Sequence, residues 1–194
     1  MRIGIFLCSV IVFMSCQSTK TGFSDNNFQT FDRYFSTIKW TDTLDSRNTD
    51  WALGRIHEVK SPILPDNVFY ATVDTANMSY KMYESRFFAE GKIDLPNGNT
   101  GYFVTRQTED VTYDKTTLLI VFNKDLELVQ DVTFSEFIGY GGFITETQSK
   151  LFKDENGVWR INSEKSESTY IAEKEEVVKK TELLNWQFLG DIFQ

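Results

Sequence analysis

The rhythm of apolar positions changes at residue 66. Before it, Phe28, Phe31, Tyr34, Phe35 and Ile38 recur at helical spacing, which predicts an amphipathic helix over 26–38 with Ser24 or Asp25 as its cap. Residues 39–65 show no period. Trp40, Trp51 and Leu53 are scattered among Thr, Asp and Asn, and Pro62 and Pro65 close the stretch, so it reads as loop with short extended pieces. From residue 66 the period is two. Val68, Tyr70 and Thr72 alternate, then Tyr80, Met82 and Glu84, and further strands are predicted over 86–94, 100–108, 116–123, 126–134, 142–152, 157–163 and 167–173.

Turn chemistry separates these runs. Pro96-Asn97-Gly98-Asn99, Asn123-Lys124-Asp125 and Asp154-Glu155-Asn156-Gly157 carry the residues that tight turns favour. Leu118 to Phe122 is apolar on both parities, the mark of a central strand covered on both faces. The tail is ambiguous. Glu175 with Lys179 and Glu176 with Lys180 are helical pairs, whereas Leu184, Trp186, Phe188 and Ile192 alternate as in a strand; a turn or short helix followed by a final strand is the expectation. The predicted fold is mainly β: one antiparallel meander sheet with a single N-terminal helix. Closure into a barrel or an incomplete propeller is left open.

The first sixteen residues carry a different signal. Arg2 precedes the apolar run Ile3 to Met14, which is too short to span a bilayer, and Ser15-Cys16 follows. The box Phe13-Met14-Ser15-Cys16 resembles the cleavage site of bacterial lipoproteins. Ser15 and Cys16 match that pattern; Phe13 stands where Leu is usual and Met14 where a small residue is usual. The resemblance implies a signal peptide over 1–15, a diacylglycerol on the Cys16 thiol, an acyl chain such as palmitate on the new amine, and a polar tether over 16–27 before a single domain at 28–194. Two or more acyl chains anchor a protein stably. It also implies a cell-envelope address in the outer membrane. The absence of acidic residues between Cys16 and Asp25 favours the periplasmic side over the cell surface.

The domain itself is similar to small β-rich lipoproteins of Bacteroidota. The aromatic run 28–35, Gly91-Lys92-Ile93-Asp94-Leu95-Pro96-Asn97-Gly98 and Leu118 to Asp125 carry that similarity, and it implies no activity. Cys8 and Cys16 are the only cysteines. On this reading the mature fold holds no disulfide and no thiol nucleophile, and its core alone must stabilise it.

Charge narrows the partners. Without Arg2 the chain has 19 basic residues against 28 acidic, a formal charge of −9, and no basic run. Nucleic acid is therefore excluded as a partner. His57 is the only histidine, so a two-histidine metal site is impossible, and no Gly-x-Ser-x-Gly elbow accompanies it. Gly139-Tyr140-Gly141-Gly142 lacks the Lys-Ser/Thr of a phosphate loop and suits a bulge or corner between strands. Asp154-Glu155-Asn156-Gly157 fails calcium-loop spacing, and the sequon Asn77-Met78-Ser79 carries no weight in a bacterium. No catalytic residue, cofactor or metal is implied.

The function expected is non-enzymatic binding of an envelope protein or a glycan, with the membrane held through the lipid. Trp40, Trp51, Tyr140 and Phe143 are the candidate ligand contacts, and Trp159 and Trp186 are further aromatics that would matter if exposed. The alternative is a hydrolase of envelope or dietary polymers using carboxylates in predicted loops: Asp42, Asp45, Asp50, Glu109, Asp110 and Asp114.

Overall fold

The computed structural model describes residues 25–39, 43–48, 61–73, 85–108, 113–172 and 174–194. Helix α1 is Asp25–Asp32 and α2 is Asp66–Thr72. The strands are β1 (Thr43–Asp45), β2 (Ile63–Leu64), β3 (Ser85–Asp94), β4 (Thr100–Thr108), β5 (Tyr113–Phe122), β6 (Leu128–Tyr140), β7 (Phe143–Lys153), β8 (Trp159–Ile171), β9 (Glu176–Leu189) and β10 (Ile192–Phe193). Every neighbouring pair from β2 to β10 is antiparallel and lies in chain order. The meander is open: neither a barrel nor a propeller blade ring forms among the described residues. No helix among them is long and apolar enough to cross a membrane.

The sheet divides at β6. Its C-terminal half pairs with β7 from Ser135↔Gln148 to Tyr140↔Phe143, while its N-terminal half pairs only with β5. β1 takes the edge of β7 that β6 leaves, with Leu44 opposite Leu151. The irregular register at Thr117/Leu118 against Ser135/Thr133 is the bulge that re-aims β6 at this division.

Two cores result. In the first, α1 and α2 cover one face of β3–β5. Phe28, Phe31 and Phe35 meet Tyr102 and Phe122, and the Phe69 ring stacks on Phe87 at 4.0 Å. In the second, Ile93, Phe103, Leu119, Val121 and Val132 from the first half of the meander meet Leu151, Trp159, Ile161, Phe188 and Phe193 from the second. Leu118 to Phe122 is at most 1 % exposed, so the prediction of a strand covered on both faces holds.

The C-terminal hairpin closes the second core. Gln130 clamps Phe193 through both its backbone N–H (2.7 Å) and its carbonyl (2.9 Å). Asn97 and Asn99, in the β3–β4 turn, donate to Gly190 and Asp191 in the β9–β10 turn.

Several elements depart from the sequence pattern. The helix predicted over 26–38 ends at Asp32, because the chain tightens into turns at Tyr34 and Phe35 and then runs beside β3. There Ile38 donates to the Lys92 carbonyl and Lys92 to that of Ser36. Asp32, at the helix end, accepts from the Tyr102 hydroxyl (2.7 Å) and pairs with Lys92 (2.5 Å). The alternation of Val68, Tyr70 and Thr72 predicts a strand, but Asp66–Thr72 is helix. Pro65 sets its entry, and Phe69, Thr72 and Val73 form the buried helical stripe. The strands predicted at 157–163 and 167–173 are one strand, β8. The tail is strand β9 and the short β10, so its helical charge pairs are not used. The strand predicted around Tyr80–Glu84 lies outside the described residues.

Candidate functional site

A shallow groove of about 230 Å³ lies where the 3-10 turn Ser46–Asn48, directly after β1, overhangs β7–β9. Its floor is two cross-strand rows on one face: Lys150–Asn162–Asn185 and Gln148–Glu164–Leu183. Successive rows share a face because strand side chains alternate. Arg47 supplies the overhanging wall.

Asp45 organises that wall. Its carboxylate receives the Arg47 Nε (3.1 Å) and Nη2 (3.0 Å) together with the Arg47 backbone N–H, and Lys150 Nζ lies 3.2 Å away. Burial works against this charge, but the bonds from Arg47 and Lys150 outweigh it and hold the carboxyl below its ordinary range. Ser46 Oγ accepts from the Ser149 N–H (2.9 Å), which pins the turn to β7. Asn162 and Asn185 are exposed and directly opposite each other, and their amides have no hydrogen-bond partner among the described residues. Each offers two donors and one acceptor oxygen to an incoming ligand.

On the other parity of the same strands lies a charged ladder. Glu136, Thr147, Lys165 and Glu182 form one row, and Ile138, Thr145, Glu167 and Lys180 form the next. Lys165 is 3.3 Å from Glu167. Asp114 pairs with the buried Arg106 and accepts from Thr116 (3.1 Å). Desolvation pushes the Glu136 carboxyl up, and the negative Asp114 nearby adds to that rise, while Lys165, Thr147 and Arg106 oppose it. Asp114 is thus not a loop residue as predicted. β5 begins before it, and the Arg106 ion pair holds it in the strand.

The aromatic candidates separate. Tyr140 (64 % exposed) and Phe143 (39 %) face each other at the end of β6 and β7, where Gly141 and Gly142 take positive φ in a two-residue turn. The corner predicted for these glycines is therefore present. Phe143 stands five residues along β7 from Gln148, about 17 Å from the groove, so the structure does not bring these aromatics to it. Trp159 is buried, with the Lys153 ammonium 4.9 Å from its ring centroid, and Trp186 is packed against the second core. Trp40, Trp51, His57, Asp42, Asp50, Asn77, Glu109 and Asp110 lie outside the described residues, as does Cys16.

The groove residues Asn162, Glu164 and Asn185 carry no sequence motif. Their only signal is polar residues where strand parity could have placed apolar ones. No group of three or more His, Cys, Asp or Glu able to hold a metal occurs among the described residues. Comparison with protein-family models, curated proteins and solved structures finds no match to this chain.

Proposed function

We propose that this chain is a lipid-anchored envelope protein that binds a glycan in the groove beneath Arg47, without chemistry on it. One observation supports this reading above the others. Two adjacent rows, five of whose six side chains are amide or charged, with Asn162 and Asn185 exposed and unpartnered among the described residues, are flanked by a cationic wall that Asp45 already orients. Sugar hydroxyls need donors and acceptors in fixed positions, and strands fix them better than loops do. Titration calorimetry against envelope polysaccharide fragments tests it. Asn162→Ala with Asn185→Ala should weaken binding at least tenfold while leaving the melting temperature unchanged. Equal binding by that variant would remove the groove from consideration. The anchor is tested separately: Cys16→Ala should move the protein from the membrane fraction to the soluble fraction.

A second reading rests on Glu136. It is a diagonal neighbour of Asp114, a separation of ~7–8 Å between Cα atoms. Asp114 is ion-paired with Arg106, whereas burial raises the Glu136 carboxyl. That asymmetry suits the acid and base of a glycoside hydrolase. Release of reducing ends from the bound glycan, abolished by Glu136→Gln, would replace binding with hydrolysis.

A further inference from the structure

The outer edge of β9 is the longest uncovered feature of the described chain. β8 pairs with one edge of β9 from Glu176 to Gln187, and β10 with the following Gln194 covers the other edge only from Gln187 to Leu189. From Glu176 to Trp186 no described strand lies on that second edge. Val177 is 62 % exposed and Leu183 71 % exposed along it. An edge of this length, with free N–H and C=O groups, is a template for another strand.

We infer that the strand is β9 of a second copy, antiparallel and centred on Thr181. Hydrogen-bonded and non-hydrogen-bonded pairs alternate along an antiparallel ladder, so a two-fold axis between identical strands must pass through a residue facing its own copy. That restricts the registers to residue centres. Centres at Lys179, Lys180 or Glu182 set like charges against each other on the axis. A centre at Val178 pairs Glu176 with Lys180, but only residues 176–180 can join, because Glu175 is in the β8–β9 turn with φ +50°.

The centre at Thr181 pairs all eleven residues from Glu176 to Trp186. It sets Lys180 opposite Glu182 twice and Val178 opposite Leu184 twice. Lysines on an edge usually repel a partner strand; in this register Lys180 meets an opposite charge.

The pairing also completes the groove. Leu183 and Asn185 line its open side. In the dimer Lys179 of the second copy lies opposite Leu183, and Val177 of the second copy opposite Asn185. The two grooves then share one floor across the axis.

Cysteine cross-linking of the full-length, membrane-extracted protein tests the register. Thr181→Cys places two thiols directly opposite each other, within the Cα range of ~4.4–6.8 Å that a disulfide spans. Mild oxidation should convert most of this variant to a covalent dimer. Glu176→Cys should not cross-link, since its own copy lies ten residues away, ~33 Å, and the unmutated protein controls for Cys8 and Cys16.

Sedimentation equilibrium gives a second readout. Lys180→Glu should raise the dimer dissociation constant at least tenfold, and Lys180→Glu with Glu182→Lys should restore it. Glycan binding is not needed for either readout, so failure here leaves the groove reading standing. A monomer at all concentrations up to ~100 μM, cross-linking of Glu176→Cys as fast as Thr181→Cys, or no rescue by the charge exchange would each overturn the inference.

Discussion

β5 and β9 are both long strands, but they have opposite surroundings. β5 lies under α1 and α2 on one face and against the second core on the other, and its residues 118–122 are at most 1 % exposed. Val177, Val178 and Leu183 of β9 are open to solvent, and their cross-strand neighbours on β8 are Tyr170, Thr169 and Glu164. Ladder hydrogen bonds alone therefore suffice to shape a strand here, but they do not anchor it equally. A buried aromatic contributes several kcal/mol, whereas a polar cross-strand pair contributes ~0.2–1 kcal/mol. The molecule is stiff where it is doubly covered and held mainly by its backbone ladder where the ends of β6–β9 project beyond both cores.

Substitutions can break that contrast in graded fashion. The largest effect is expected from Phe103→Ala, which empties a fully buried site against Phe134 in the second core. It should cost about 3–5 kcal/mol in urea unfolding. Gly91→Ala comes next. A Cβ there would lie 2.5 Å from Ile38 Cγ1 and 3.1 Å from the Ser36 carbonyl, so the Ile38 side chain must move and the 36–38 segment is pushed away from β3. Destabilisation of about 1–3 kcal/mol is expected, with added proteolysis near Ser36.

Glu136→Gln acts with pH. The carboxyl is raised above its ordinary 4.5 in the fold, chiefly by desolvation. Below that ordinary value both states are protonated and the group is neutral toward stability. As pH rises through the window between the unfolded and folded values, the unfolded state gains by ionising first and the fold weakens. The variant escapes this, so its melting temperature should exceed the parent's by a margin that grows as pH rises above the unfolded value and levels off above the folded one, reaching a few degrees. The smallest effect belongs to the projecting region. Thr169→Ala, opposite Phe143 and Val178, should cost about 0.5 kcal/mol or less. Amide exchange sharpens the same contrast: β5 amides should exchange only on global unfolding, and those of Thr169 and Val178 orders of magnitude faster.

How legible each part was follows the same division. β3 and β4 were readable nearly to the residue, because both faces of that half are sorted by burial and the Pro96–Asn99 turn carries its own chemistry. β8 was split in two because Glu164, Lys165 and Ser166 look like a turn when polarity is read as loop; on an uncovered sheet polarity has no such meaning. α2 was missed because seven residues hold too few turns for the helical period to outweigh three alternating positions. The groove was invisible for a further reason. Arg47 and Asn185 are separated by most of the chain, and only the pairing of β1 with β7 and of β8 with β9 brings them together.

The match between chain order and strand order sets a sequence of events. As the chain emerges from its N-terminus, each strand from β3 onward finds its neighbour already in place. The first core can assemble once β5 is present. The second cannot, because Phe188 and Phe193 arrive last and Gln130 waits for them. A chain cut short by even the final hairpin would keep its helices and central strands yet lack Phe188 and Phe193 from the second core and leave Gln130 without its partner, a form suited to recognition by proteases that monitor unfinished proteins.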